Sequence, residues 1–209
     1  MTRIVPAVLV GNKADYLSKL SIIRQLTNRF QLDIIDGEYV DNKTIGLSEV
    51  GRLTDIRMDV HLMVKEPKLY IDQAILINVN TIILQYEAVE NIEPHLERIK
   101  KSGFSCGVAI NPETNLAKLK PFSELLNHVL IMGYPAGFAG QKLDPMVFDR
   151  LPEARELFPA AEIGLDGGVN LKNAKKVLQA GFDIVNINSA IFNSHDPLSN
   201  YMQLLGYLI

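Results

Sequence analysis

The run QLDIIDG, residues 31–37, sets the reading of the whole chain. A period of two places Gln31, Asp33 and Ile35 on one face and Leu32 and Ile34 on the other. Both faces carry apolar residues, as in parallel strands buried on both sides. Working outward, Val- and Ile-rich runs of this kind recur at 4–10, 32–35, 60–64, 81–84, 107–110, 129–132, 163–165 and 184–187, eight in all. Between them, 16–29, 92–101, 146–158 and 171–180 space their apolar residues by three and four and predict amphipathic helices. Asn170 is the expected N-cap of the last helix, and Gly181 its stop. Eight strand and helix alternations predict an α/β fold, a closed (β/α)8 TIM barrel, as a single domain over residues 1–209. An open doubly wound sheet is the rival, but the G-x-G-x-x-G it places after its first strand is missing, since residues 8–13 read VLVGNK.

Composition narrows the function classes. Of 209 residues, 47% are hydrophobic and 22% charged, which supports an ordinary buried core and excludes a disordered chain. A formal charge of −3 is not the basic footprint of a nucleic-acid binder. Cys106 is the single cysteine, so neither an intrachain disulfide nor a zinc site built on paired cysteines is expected. The apolar run at 4–10 is interrupted by Pro6 and is far shorter than the ~20 residues of a membrane span. It has no cleavage pattern of a signal peptide. The expectation is a soluble, cytoplasmic protein with no membrane and no nucleic-acid partner.

In such barrels the chemistry gathers at the carboxyl ends of the strands. Polar residues facing inward there are the informative ones. Asp33 stands in the second strand; Asp59, His61 and Met63 share one face of the third, DVHLMV. Gln85 follows in the fourth, and Asp166 ends the seventh, directly before two glycines. A buried carboxylate needs a partner, a proton or a metal. Two aspartates, one histidine and a glutamine from neighbouring strand ends form a donor set suited to zinc, manganese or ferrous iron rather than calcium. A histidine satisfied within the core and an aspartate paired with a lysine are the alternatives. Asp59 and Asp36 read as strand-start and turn residues.

Glycine-rich turns supply a second constellation: GYPAGFAGQ at 133–141, DGG at 166–168, and NINSAIF at 186–192. Each glycine alone permits a tight turn. Three such turns after consecutive strands suit an anion held by backbone N–H groups and a helix amino terminus.

These strings carry a resemblance. DIIDGEYVDNKTIG (33–46), DVHLMVKEP (59–67), GVAINPET (107–114), IMGYPAGFAGQ (131–141), IGLDGG (163–168) and NSAIF (188–192) are collinear with, and similar to, those of the ribulose-phosphate 3-epimerase family. The resemblance implies a barrel of the ribulose-phosphate-binding type that inverts carbon 3 of a ketose phosphate, converting ribulose 5-phosphate to xylulose 5-phosphate through an enediolate. By that resemblance Asp33 and Asp166 are the catalytic acid and base. Asp33, His61 and Asp166, with Gln31, stand at the metal positions. Gly137, Ala139, Gly140, Gly167, Gly168, Asn188 and Ser189 fall at the phosphate-binding positions, and Ala7, Met63, Gln85 and Met132 at the substrate pocket. The implied partner is a small phosphorylated sugar, the cofactor a divalent metal and no organic group, and the assembly a homo-oligomer.

The chain also departs from the family pattern. Gln31 replaces a metal-binding histidine, which weakens the metal site, because a carboxamide oxygen is a poorer zinc ligand than imidazole. Ala7 replaces a serine, Gln85 a histidine, Ile35 a methionine and Asn188 a glycine; Pro135, Ala136 and Ala139 alter the sixth loop. The alternative is therefore a catalytically impaired member serving as a phosphate-binding or regulatory barrel. The Asp-x-Lys-x-x-Asp pattern of the related decarboxylases is absent, because Gln31 precedes Asp33 by two and position 33 is not lysine.

Overall fold

In the computed structural model, which describes residues 3–208, eight parallel strands pair in chain order and the last closes onto the first. They are β1 (Arg3–Val8), β2 (Arg29–Ile35), β3 (Arg57–Met63), β4 (Thr81–Gln85), β5 (Ser105–Ile110), β6 (His128–Met132), β7 (Glu162–Asp166) and β8 (Ile184–Ile187). The helices are α1 (Lys13–Leu26), α2 (Leu47–Val50), α3 (Pro67–Leu76), α4 (Glu93–Lys101), α5 (Val147–Leu157), α6 (Ala174–Gln179), α7 (Ser189–Phe192) and α8 (Pro197–Gly206). Each apolar run of the sequence is a strand, and the chain is a single-domain TIM barrel. No helix among the described residues is long and apolar enough to cross a membrane.

Local chemistry moves several boundaries. α1 begins before residue 16 because Asn12 caps it, its side chain accepting from the Asp15 N–H at 2.9 Å. α6 begins at Ala174 rather than 171, with Asn173 at the cap position. Asn170 instead folds a turn ahead of it, accepting from the N–H groups of Lys172 and Asn173. The β5–β6 connection is a 3₁₀ helix, Leu116–Phe122, containing Pro121, whose missing N–H disfavours a regular α-helix. Pro6 does not end β1; the β1–β2 register starts just after it, at Ala7↔Gln31.

Period-two alternation splits the apolar residues into two clusters. Outward positions such as Leu32, Ile34, Val60, Leu62, Ile82 and Leu84 pack against the helices. Inward positions Ile35, Met63, Ile83, Ala109, Leu130 and Met132 form a separate cluster inside the barrel, joined by Ala136.

Below that plug the barrel floor is ionic. Arg29 Nε donates to Asp59 Oδ2 at 2.7 Å and its Nη2 to Glu162 Oε2 at 3.1 Å, with Arg29 and Asp59 both buried. Asn80 Nδ2 donates to the other Asp59 oxygen at 3.0 Å, so Asp59 is held entirely within the floor. Removing one partner of such a buried pair costs roughly 3–5 kcal/mol. The His128 ring is buried beside them, and only a glycine at 164 admits it, since a Cβ there would lie 2.9 Å from both His128 Nε2 and Leu130 Cδ1.

His128 gives the fold a dependence on acid. Its Nδ1 lies 3.3 Å from Glu162 Oε2, but that carboxylate is already committed to Arg29 and Arg3. Burial, only partly offset by Asp59 and reinforced by Arg29, pushes the His128 pKa down to about 4 from 6.5. Between those values the unfolded chain takes a proton that the native state refuses. Its contribution is complete above pH 6.5 and is lost as pH falls through 4, a change of about 3 kcal/mol. Urea unfolding midpoints should fall over this interval, and His128→Gln should flatten the fall.

Candidate functional site

β2, β3 and β7 carry Asp33, His61 and Asp166 to the carboxyl end of the barrel, where all three side chains are buried. Asp33 and His61 are register partners on adjacent strands, whereas Asp166 comes from across β1 and β8. His61 Nδ1 lies 3.6 Å from Asp33 Oδ1 and 3.9 Å from Asp166 Oδ2. One donor atom from each of the three residues falls within 4.8 Å of the others.

Gln85 decides which histidine nitrogen faces this cluster. Its amide N–H groups point to Glu87 Oε2 and Asn111 Oδ1, both acceptors, and Asn111 Oδ1 also accepts from the Ala136 N–H at 2.9 Å. The Gln85 carbonyl is thereby turned to His61, whose Nε2 lies 2.8 Å from it. An acceptor there requires Nε2–H, so the neutral ring presents its Nδ1 lone pair to Asp33 and Asp166. That nitrogen is buried with no hydrogen-bond partner. A buried lone pair facing two carboxylates fits a divalent cation of the zinc, manganese or iron type.

Gln31 lies against both carboxylates. Its Nε2 donates to Asp33 Oδ1 at 2.8 Å and to Asp166 Oδ2 at 2.6 Å, while its carbonyl accepts from Asn186 Nδ2. The N–H end of the amide, rather than the carboxamide oxygen expected at the metal, thus faces the acid pair in this structure.

Burial and the neighbouring Asp33 charge push the Asp166 pKa up to about 7, with His61, Gln31 and Asn186 offsetting part of the rise. For His61 burial acts to remove the proton, but the Asp33 and Asp166 carboxylates outweigh it and raise the pKa. Asp166 thus holds a proton close to neutrality.

The cavity above these residues gathers most of the positions expected from the sequence. Ala7, Met63 and Met132 line its wall beside Asp33, His61 and Asp166; Ile35, two residues beyond Asp33 on β2, belongs to the same apolar cluster as Met63 and Met132. Gly137, Ala139, Gly140, Gly167, Gly168, Asn188 and Ser189 form the rest of the rim. Ala139 is not at positive φ, although Gly137 and Gly140 on either side are, so alanine is unstrained there. Asn188 has φ −103°, also without left-handed strain. Gln85, expected in the substrate pocket, does not line the cavity but lies behind His61, its amide taken up by internal hydrogen bonds; Gln31, expected at the metal, does not line it either and lies against the acid pair.

Sequence reasoning missed Tyr134, Phe138 and Asn186, which also line the cavity, and Glu87 and Asn111, which brace Gln85. Period-two alternation from Asn188 would have found Asn186. Tyr134 carried no such signal; its ring lies against Gly167, where a Cβ would come within 2.8 Å of it.

Comparison with known proteins agrees with this geometry. The ribulose-phosphate 3 epimerase family model matches residues 3–192. The chain is 33% identical over 205 residues to the ribulose-phosphate 3-epimerase of Helicobacter pylori strain J99, covering 93% of this chain and 92% of that one. It is 30% identical over 217 residues to the Bacillus subtilis strain 168 protein of the same name, covering 99% of each. Among solved structures, 3-hexulose-6-phosphate synthase from Salmonella typhimurium superposes with a TM-score of 0.73 at 13% identity, over 99% of this chain and 98% of that chain. This last likeness shows the barrel alone. With its acid pair and histidine in one cavity, the chain belongs to the ribulose-phosphate 3-epimerase family.

Proposed function

We propose that this protein epimerises a ketose phosphate at carbon 3, interconverting ribulose 5-phosphate and xylulose 5-phosphate. The observation that carries the reading is the acid pair: Asp33 and Asp166 reach one cavity from separated strands, and the site pushes Asp166 up to about 7. Inversion needs a base on one face of the carbon and an acid on the other, with the roles exchanged in reverse. Two adjacent carboxylates that share one proton provide both forms at once.

Ionised Asp33 takes the carbon-3 proton and leaves an enediolate; protonated Asp166 delivers a proton to the opposite face. The pair still holds one proton, now on Asp33, and exchange with water resets it. Asp33, His61 and Asp166 would hold a divalent cation, which when bound supplies Lewis-acid stabilisation of the developing oxygen charge. Gln85 keeps the His61 lone pair on that side. Met63, Met132 and Ala7 give the enediolate an apolar wall. Gly137, Ala139, Gly140, Gly167, Gly168, Asn188 and Ser189 take the phosphate through backbone N–H groups and short polar side chains. No lysine or arginine lines the cavity among the described residues, so the holding of the phosphate falls to these backbone N–H groups and short polar side chains. A cytoplasmic location fits this substrate class and the single cysteine.

The test is incubation with ribulose 5-phosphate in deuterated water, following carbon-3 deuteration and xylulose 5-phosphate by NMR, with added zinc, manganese or iron and with chelator. Exchange is expected, and Asp33→Asn or Asp166→Asn should each slow epimerisation by roughly 10²–10⁴-fold. No exchange from folded protein with any of these metals overturns the reading. Without added metal, turnover in both directions should fall as pH rises through about 7, where the singly protonated pair is lost. Gln85→Leu frees the His61 ring to adopt the other tautomer, and zinc binding measured by calorimetry should weaken by roughly 10–100-fold.

A further inference from the structure

We propose that Gln31 is a positioning residue and not a fourth metal ligand: its carboxamide NH2 ties Asp33 to Asp166 and competes with a divalent cation for the same carboxylate oxygens. The coincidence of partners is atom by atom. Asp33 Oδ1 and Asp166 Oδ2 are the oxygens that lie 3.6 and 3.9 Å from His61 Nδ1, and they are the two that accept from Gln31 Nε2, at 2.8 and 2.6 Å. A single amide nitrogen thus spans the donor atoms that a cation would share with His61.

The amide is locked from behind as well. Gln31 and Asn186 are both buried, and the Gln31 carbonyl accepts from Asn186 Nδ2. Turning that carbonyl toward a cation would set its oxygen against two carboxylates and its NH2 against another NH2, giving up three hydrogen bonds together. The amide also does part of a cation's work. Its two N–H dipoles offset the repulsion between the carboxylates and draw on the lone pairs that would bind metal. The centre therefore stays assembled without metal and binds metal less tightly than the same three ligands would without the amide.

The inference rests on the acid-pair reading above, but its measurement does not require turnover. Metal-free wild type, Gln31→Leu and Gln31→His are titrated with zinc by calorimetry and by competition with a chelator. The leucine variant should bind zinc about 10-fold more tightly than wild type, because the competing hydrogen bonds to the charged oxygens are gone. A fourth-ligand role requires the opposite sign. Equal or weaker binding by Gln31→Leu overturns the proposal. So does Gln31→His that binds no more tightly than wild type, since that change removes the donor and adds a ligand. If Gln31→Leu does not fold by circular dichroism, Gln31→Met, a flexible side chain of comparable size, is subject to the same criterion. Absence of carbon-3 exchange from every protein would remove the epimerase reading, while the order of zinc affinities would still decide the role of Gln31.

Discussion

Closure of eight parallel strands into one ring is the constraint from which the rest of this structure follows. A closed sheet leaves no edge, so every strand must point alternate side chains into a narrow interior. That interior is filled in layers. An ionic floor of Arg29, Asp59, His128 and Glu162 lies at the amino ends, an apolar plug of Ile83, Ala109 and Leu130 with its neighbours lies above it, and a polar layer of Gln31, Asp33, His61, Gln85, Asp166 and Asn186 rims the carboxyl ends. Small residues are as necessary to the filling as large ones, because the His128 ring occupies space that any side chain at Gly164 would take.

The polar layer is governed by hydrogen-bond accounting. An ionised carboxylate accepts and cannot donate, so an amide beside one turns its N–H end toward it. Glu87 orients Gln85 in this way, and Gln85 in turn fixes the His61 tautomer. Asp33 and Asp166 orient Gln31, which passes its carbonyl to Asn186. The two glutamines thus act oppositely. Gln85, through its hold on Nε2, leaves the His61 Nδ1 lone pair facing the centre, whereas Gln31 presents N–H groups to it. A substitution that looks like the loss of a ligand is, in place, the gain of a donor between two acids.

Much of the site was legible in residue types. Asp33, His61 and Asp166 stood at strand ends with the right alternation, and the glycine turns after β6, β7 and β8 lie on the same cavity. Direction was not legible for the amides. A glutamine has a donor end and an acceptor end, and which one faces the centre depends on partners from other strands. Tyr134 and Asn111 were invisible for a related reason, since their places depend on Gly167 and on the Ala136 N–H, which lie far from them in sequence or across a loop. Helix ends shifted wherever a particular side chain took the cap, as Asn12 did for α1.

Taken alone, the sequence determined the barrel and its eight strands, because hydrophobic period and chain order are local properties that parallel closure can satisfy in one way. Tertiary structure alone decided that Gln31 and Gln85 stand outside the cavity, which nitrogen of His61 faces the acids, and that Asp166 rather than an ordinary carboxylate sits near neutrality. Those outcomes depend on burial and on charges brought together from strands more than a hundred residues apart, as Gln31 and Asp166 are, 135 positions from one another along the chain.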